Sequence, residues 1–265
     1  LHGTAIYGTG TVVKDHNDGI VQCYEYSDTS WNQVGNTIES SSLNDLSGGD
    51  IGINEEGNMI TIGYPQTNSA TGTTKVFKYD TNDSSWNQIG SNIDGSTTGD
   101  HAGTSVVMDG SGDFVAIGAP AANSSAGKVR VYQNINDSWI KKGNDMEGAS
   151  SNDEFGSAIS MNASGDIMVV GAPNAESAKG KAYVHEYNVT DNSWNLKTSV
   201  TGTTANDKLG SSVRLNGLGT EVSVGEPGLT VSTPSYDWNF RQNSSSPIYD
   251  NISNYPATFS GITAN

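Results

Sequence analysis

Residues 153–173 read DEFGSAISMNASGDIMVVGAP, and this stretch decides the fold. Its pattern recurs at 48–65, 103–120 and 210–227. The glycine of the closing Gly-x-Pro motif falls at Gly63, Gly118, Gly171 and Gly225, at intervals of 55, 53 and 54 residues. Self-similarity at a fixed period of this size is typical of propellers and other repeat architectures.

Each copy alternates apolar and variable positions in the way that a β-strand requires. One register of the first strand holds Ile51, Val106, Ile159 and Val213. The second strand repeats this alternation with Ile60, Val115, Met168 and Val222. A third strand follows at 75–79, 128–132 and 181–187, and a tryptophan marks the fourth. One unit is therefore a four-stranded antiparallel meander, and stacking such units radially buries both of their faces.

The predicted fold class is all-β: a β-propeller of four-stranded antiparallel blades, with about 54 residues per repeat. The propeller is expected to span 1–233. It would have a partial blade at 1–44, full repeats at about 45–98, 99–151 and 152–205, and a partial repeat at 206–233. The partial blade at 1–44 is expected to lack its first strand and to use residues 5–8 as its second strand. Residues 234–265 do not match the repeat.

Composition restricts the classes of partner. Lys plus Arg number 13 and Asp plus Glu 29, which gives a formal charge of −16. An acidic surface repels phosphate backbones, so nucleic acid is excluded as a partner. No run approaches the ~18 apolar residues of a membrane span, so no direct membrane insertion is expected. The single cysteine, Cys23, alternates with apolar residues and is expected to pack in a core.

The run Asp153-Glu-Phe-Gly156, through Gly171-Ala-Pro173 and on to Gly180-Lys-Ala-Tyr-Val184, resembles the FG-GAP repeat of integrin-α-like propellers. The resemblance extends over roughly residues 45–227, and the copy at 48–65 departs most from it. It implies an extracellular propeller, often of about seven blades. The chain would then hold part of such a ring, form a smaller ring, or be completed by another chain.

The C-terminal segment carries a second resemblance. Residues 235–241 and 255–263 resemble the opening of a laminin-G or concanavalin-like jelly-roll domain. The alternative is an irregular tail that packs on the last blade.

Many FG-GAP units carry calcium in an Asp-x-Asp-x-Asp-Gly loop between the first two strands. The corresponding turns here, at 54–58, 109–113, 162–166 and 216–220, are short and carry at most two carboxylates. Calcium takes six to eight oxygen ligands. Asp109 and Asp113 are the candidate calcium ligands that remain, and the expectation is that the chain uses no cofactor.

Two residue types recur at fixed places in the repeat. Aspartates lie eighteen residues before each closing glycine, at Asp45, Asp100, Asp153 and Asp207. They are expected to cap turns through backbone N–H groups, the alternative being a ring of carboxylates that attracts cations. Tryptophans mark the fourth strands at Trp31, Trp86, Trp139 and Trp194. They are expected to fill the space between blades, or to stack on sugars if exposed.

Sequons for N-glycosylation occur at Asn82, Asn123, Asn136, Asn162, Asn188, Asn243 and Asn251. They predict a glycoprotein if the chain follows a eukaryotic secretory route. The four histidines have no metal-ligand spacing, and no nucleophile elbow or phosphate-binding loop follows a strand.

The leading hypothesis is a non-catalytic adhesion or recognition module, extracellular or displayed on a cell, filament or virion, that binds a protein or a glycan. One alternative is a structural building block of an extracellular filament or virion surface, which packs against copies of itself. A second alternative is a carbohydrate-active enzyme, because a propeller can hold distant carboxylates in a shared site.

Overall fold

The computed structural model describes residues 4–6, 12–16, 19–27, 29–39 and 49–228. They belong to one compact unit, Leu1–Leu229. A second unit, Thr230–Asn265, lies outside the described residues, and with it the expected jelly-roll opening. Asp45, Asn243 and Asn251 also lie outside them.

The strands of the described residues form five successive antiparallel sheets, here called blades 1 to 5. Blade 1 contains β1 (Thr4–Ile6), β2 (Val12–His16), β3 (Ile20–Ser27) and β4 (Ser30–Glu39). Blade 2 contains β5 (Ile51–Ile53), β6 (Met59–Tyr64), β7 (Thr73–Asp80), β8 (Ser85–Gln88) and β9 (Ile93–Asp94). Blade 3 contains β10 (Ser105–Met108), β11 (Phe114–Ala119), β12 (Lys128–Ile135), β13 (Ser138–Lys141) and β14 (Met146–Glu147). Blade 4 contains β15 (Ala158–Met161), β16 (Ile167–Ala172), β17 (Lys181–Asn188) and β18 (Ser193–Thr201), and blade 5 contains β19 (Ser212–Leu215) and β20 (Val222–Gly225).

Every blade is a meander in which each strand pairs with the next along the chain. In blades 2 and 3 the fourth strand has two segments, because β8 and β9 both pair with β7, and β13 and β14 both pair with β12. The first strands of successive blades lie side by side, β5 against β10, β10 against β15 and β15 against β19. The fold is therefore all-β and propeller-like, and no sheet of the described residues closes on itself.

Blade 1 departs from the sequence expectation. It has four strands, and the segment expected to form its second strand contributes the first, Thr4–Ile6. The second strand is Val12–His16, in which Val13 lies opposite Cys23 of β3. The physical reason lies in the sequence, since the β-branched pair Val12-Val13 favours a strand and the following Asn-Asp-Gly run favours a hairpin turn.

The core lies between the blades, because the second strands of blades 2, 3 and 4 are covered on both faces. All of β6 is buried, as are the last five residues of β11 and of β16. Between blades 1 and 2, Val21 and Cys23 pack with Ile60 and Ile62. Burial raises the pKa of the Cys23 thiol to about 12, so this side chain serves as a small apolar group.

Three single helical turns link the second and third strands of blades 2, 3 and 4. They are α1 (Thr67–Ala70), α2 (Ala122–Ser125) and α3 (Ala175–Ala178), each with a run of left-handed residues such as Asn68 at φ 52° and Ser69 at φ 56°. Left-handed backbone costs roughly 1–2 kcal/mol per residue. Backbone bonds to the next blade offset this cost, since Ala70 O accepts the N–H of His101 at 2.9 Å. Equivalent bonds join Ser125 O to Glu154 N and Ala178 O to Lys208 N.

Candidate functional site

Three of the repeated aspartates lie in the described residues, and each is buried in a turn. In Asp100, Asp153 and Asp207 the carboxylate Oδ2 accepts a backbone N–H from three residues earlier in the chain. The donors are Thr97, Ser150 and Thr204, at 3.1, 2.9 and 2.8 Å. These carboxylates therefore close their own turns.

The hairpin between the first two strands of blades 2, 4 and 5 is closed by an asparagine. In each, the amide oxygen accepts N–H groups from four and five residues ahead, as Asn162 does from Asp166 and Ile167 at 3.1 and 2.9 Å. The amide nitrogen donates back across the turn. Its acceptors are Asn58 Oδ1 for Asn54, Asp166 Oδ1 for Asn162 and Thr220 Oγ1 for Asn216, at 2.9, 2.7 and 3.0 Å. An N–H donor thus occupies the centre of each of these turns.

Blade 3 has an aspartate at the same place. Asp109 is buried, and its oxygens accept the backbone N–H of Phe114 at 2.8 Å and the hydroxyl of Ser111 at 2.6 Å. Asp113 is exposed at the end of the same turn. Across the residues that the structure describes, no three His, Cys, Asp or Glu side chains are grouped so that they could hold a metal ion.

The tryptophans Trp86 and Trp194 are buried between blades and are held by the preceding blade. The indole N–H of Trp86 donates to Val34 O at 2.9 Å, and its backbone N–H donates to Asn36 Oδ1 at 2.7 Å. Trp194 repeats both bonds with Lys142 O and Asn144 Oδ1, at 3.2 and 2.7 Å. The tyrosine opposite each tryptophan covers the ring, with centroids 5.3 and 5.4 Å apart.

Trp139 differs from Trp86 and Trp194, because it is only half-buried. Its indole N–H donates to Ile89 O at 3.2 Å, as the pattern requires. However, Ser91 follows Gly90 where Asn36 follows Gly35 and Asn144 follows Gly143. The shorter serine leaves open the space that an asparagine side chain occupies at the other two interfaces.

A change of strand register uncovers Trp139 further. The hairpin between β12 and β13 has a two-residue turn, Asn136-Asp137, with both residues at positive φ (52° and 58°). The matching hairpins of blades 2 and 4 have four-residue turns. Asn134 therefore lies opposite Trp139, and Tyr132 moves two positions down the strand to face Lys141. The tyrosine and tryptophan are seven residues apart in blade 3 as in blades 2 and 4, yet only in blade 3 do they not lie opposite each other.

The result is an open cleft between blades 2 and 3, with a volume of about 350 Å³. Its lining residues are Ser91, Asn92, Ile93, Asp94, Tyr132, Ser138 and Trp139. Sites for small ligands typically have volumes of ≈ 300–1,000 Å³ and combine aromatic surface with a few polar groups. This cleft lies at the lower end of that range in volume and has two aromatic rings, and four of its seven lining residues are polar.

The polar groups of the cleft are anchored by the blades. The Thr73 hydroxyl donates to Asp94 Oδ1 at 2.7 Å, and Gln88 Nε2 donates to Asn92 Oδ1 at 3.0 Å. Burial raises the pKa of Tyr132, although the nearby Arg130 guanidinium partly opposes this, so the phenol stays neutral near pH 7. The cleft therefore presents hydroxyls, an amide and one carboxylate around an indole ring.

The two cations beside the cleft, Arg130 and Lys128, are already engaged in ion pairs. Arg130 donates to Asp145 Oδ2 through Nε and Nη2, at 3.0 and 2.9 Å, and Lys128 lies 3.6 Å from the same oxygen and 3.4 Å from a carboxylate oxygen of Glu147. Burial would raise the pKa of Asp145, but its bonds with Arg130 and Lys141 outweigh burial and lower that pKa to about 2. An anionic ligand in the cleft would therefore have to compete with Asp145 and Glu147 for these two cations.

The sequons fall into two groups. Asn82, Asn123, Asn136 and Asn188 are exposed. Asn162 is 2% exposed, and its amide nitrogen donates to Ser164 Oγ as well as to Asp166. Glycosylation of Asn162 is therefore disfavoured in the folded chain, because the acceptor nitrogen lies inside the hairpin.

A family comparison matches the FG-GAP repeat to residues 147–185. The match runs from the end of β14 through most of β17, so it covers the Phe155-Gly156 motif and the Gly-Ala-Pro motif of blade 4. A comparison with curated proteins gives no match. No helix of the described residues has the length and apolar character needed to cross a membrane.

Two solved structures share the fold. One is the crystal structure of a protein from Lactobacillus plantarum, with a TM-score of 0.52 at 13% identity over 79% of this chain and 56% of that one. The other is a functionally unknown protein from Desulfotomaculum acetoxidans, with a TM-score of 0.58 at 16% identity over 83% of this chain and 61% of that one. The chain thus spans 56% and 61% of the length of these two proteins. At such identities the likeness is one of fold alone.

Proposed function

We propose that this chain is a non-catalytic recognition module that binds a neutral glycan in the cleft between blades 2 and 3. The observation that carries the proposal is the partial exposure of Trp139 in the lining of the cleft, whereas Trp86 and Trp194 at the other interfaces are 4% and 3% exposed. Sugars present apolar C–H faces and rows of hydroxyls. An indole ring surrounded by hydroxyl, amide and carboxylate groups offers a complementary surface.

The lining of the cleft supports binding over catalysis. Glycosidases place two carboxyl groups about 5–9.5 Å apart around the bond that they cleave. Asp94 is the one carboxylate among the residues that line the cleft, and one of its oxygens already accepts the Thr73 hydroxyl. The compensated charges of Arg130 and Lys128 favour a neutral sugar over a sulfated or phosphorylated one.

An extracellular or surface-displayed location is part of the proposal. It is supported by the FG-GAP match, since the repeat resembles that of integrin-α-like propellers, by the acidic net charge and by the exposed sequons.

The experiment is a glycan array with the full chain, followed by calorimetry with each sugar that binds. Trp139→Ala removes the stacking surface, and we expect affinity to fall at least about tenfold. Ser91→Asn rebuilds the closure seen at Trp86 and Trp194, and we expect it to abolish binding while leaving the chain as stable as before or more so. Asn195→Ala, at an exposed position on β18, is the matched control and should change neither property.

The outcomes separate the alternatives. Sugar binding that survives both Trp139→Ala and Ser91→Asn would contradict this site. A protein ligand whose binding is lost in both variants would keep the cleft but replace the glycan. Turnover of a polysaccharide that is lost in Asp94→Asn would overturn the assignment as non-catalytic.

A further inference from the structure

A second aromatic surface lies on blade 1, at Tyr26 and Trp31. The two rings form a tilted pair with centroids 5.3 Å apart and an interplanar angle of 56°. Tyr79 with Trp86, and Tyr187 with Trp194, form the same pair at 5.3 and 5.4 Å and at 50° and 53°. The Tyr26–Trp31 pair of blade 1 thus has the same geometry as the two pairs that lie buried between blades.

The pair on blade 1 differs from the other two in its exposure to solvent. Trp86 and Trp194 are 4% and 3% exposed, whereas Trp31 is 47% and Tyr26 is 52% exposed. These are large aromatic side chains, and an exposed apolar patch of this kind marks an interaction surface. The described residues contain no blade that precedes blade 1 and could cover this pair.

The two buried pairs show which groups a segment packed over Trp31 would have to provide. We define a socket as the three-residue segment of a fourth strand that receives the tryptophan of the next blade, as in 34–36 and 142–144. Its first residue offers a carbonyl to the indole N–H, and its asparagine side chain accepts the tryptophan backbone N–H. Its central glycine lies flat against the ring, since a Cβ at Gly35 or Gly143 would lie 2.7 or 2.9 Å from the tryptophan Cδ1.

The described residues offer no free socket. Gly35, Gly90 and Gly143 already face Trp86, Trp139 and Trp194. On β18 of blade 4, the position that matches these glycines is Thr198, four residues after Trp194. Its Cβ would collide with an incoming indole, as at the other sockets. A second copy of the described residues therefore cannot cover Trp31 in this manner.

We propose that Tyr26 and Trp31 form a docking surface for the fourth strand of a further blade of the same repeat, one that carries an unoccupied glycine–asparagine socket. The aromatic pair on this surface has the same geometry as the pairs at the interfaces between blades 1 and 2 and between blades 3 and 4. Recognition consists of the indole N–H bond to a strand carbonyl, the asparagine bond to the backbone N–H of Trp31, and close packing against the glycine. The inference is independent of the sugar-binding cleft.

The test attaches such a blade to the full chain. One fusion adds a copy of residues 99–151 ahead of residue 1, and a second adds a copy of residues 1–44. Labelling with 5-fluorotryptophan gives each tryptophan its own fluorine resonance, and Trp31→Phe assigns that of Trp31. We expect the solvent isotope shift of Trp31 to fall in the fusions to the values of Trp86 and Trp194. The resonances of Trp86 and Trp194 report whether the rest of the chain keeps its fold.

The control fusion carries the change Gly143→Val in the added copy of 99–151, which fills its socket with a side chain. Trp31 should remain solvent-exposed in that protein. The proposal is overturned if Trp31 stays exposed in both unmodified fusions, or if it is protected equally in the control. It is also overturned if the unfused chain forms dimers that Trp31→Ala abolishes, because a second copy would then be the occupant.

Discussion

Gly118 marks a point of close backbone approach between blades 3 and 4. A Cβ at Gly118 would lie 2.2 Å from the carbonyl oxygen of Gly156 in the next blade. The same contact joins Gly63 to Gly103 at 2.0 Å and Gly171 to Gly210 at 1.9 Å. The two glycines of the repeat, one before the first strand and one at the end of the second, are therefore two sides of one interface.

We expect Gly118→Ala to lower the free energy of unfolding by about 3 kcal/mol or more, because a methyl group would have to displace the backbone of the neighbouring blade. Urea denaturation of the full chain measures this. Gly99→Ala is the matched control, since nothing lies within 4 Å of its Cβ position and only its φ of +86° is unfavourable. That change should cost about 1 kcal/mol. Equal losses in the two variants would contradict the close-contact explanation.

His185 is the residue at which stability is expected to depend on pH. It is 8% exposed beside Phe155, its Nδ1 has no hydrogen-bond partner among the described residues, and burial lowers its pKa from 6.5 to about 4. Because the unfolded chain takes up this proton first, stability is lost as pH falls from 6.5 to 4. The loss from this group is on the order of 2–3 kcal/mol.

His185→Phe should remove this part of the pH dependence, because Phe77 occupies the matching position of blade 2 opposite Ile60. The measurement is the free energy of unfolding at pH 7 and at pH 4.5 for both proteins. An unchanged difference between the two pH values in the variant would show that His185 is not the source.

At the scale of elements, the hairpins between first and second strands are closed by hydrogen bonds of their own side chains. The amide nitrogen of Asn162 donates to Asp166, so replacing the amide by a carboxylate would set two negative charges against each other. We expect Asn162→Asp to destabilise the chain by about 1–2 kcal/mol, and to do so equally with and without millimolar calcium, because the two carboxylates of the altered turn fall short of the six to eight oxygen ligands that calcium takes. Thermal melts with calcium and with a chelator test both expectations.

The unmodified chain should melt at the same temperature in both solutions, and so should Asn162→Ala, which loses the same hydrogen bonds without gaining a carboxylate. A calcium-dependent melt of the unmodified chain would instead point to Asp109 and Asp113, the pair suggested by the sequence.

Short segments also decide whether the tryptophan between two blades is covered, and one of these segments can be recognised from the sequence. Aligning the repeats by their tryptophans places Ser91 opposite Asn36 and Asn144, which is the signal for the open cleft. The shift of Tyr132 was harder to see, because its spacing to Trp139 is the same as that of the paired tyrosine and tryptophan in blades 2 and 4. The two-residue Asn136-Asp137 turn, a type that favours tight hairpins, was the available clue.

For the whole molecule, periodicity predicted the fold because apolar side chains at a period of two and a fixed repeat length leave few other arrangements. Periodicity could not predict contacts that require a residue without a side chain, such as the close approach of Gly118 to Gly156. It also could not rank the four tryptophans, since their exposure depends on what the preceding blade places over them. Val222 illustrates the same limit: it was expected to pack like Val115, yet it is 40% exposed on β20, the outer strand of blade 5 in the described residues.

The surface of the whole molecule gives a last prediction, on glycosylation. When the chain is passed through the secretory pathway of a eukaryotic cell, we expect glycans at the exposed sequons and none at Asn162. The exposed sites are Asn82, Asn123, Asn136 and Asn188. Treatment with an amidase that removes N-glycans in heavy-oxygen water converts each occupied asparagine to a labelled aspartate, and peptide mass spectrometry then counts them. Asn82→Gln should remove one glycan without loss of stability, whereas Asn162→Gln should remove none and should destabilise the hairpin by about 1 kcal/mol. A glycan at Asn162 would mean that the β15–β16 hairpin forms only after modification, and it would contradict the turn that buries that amide.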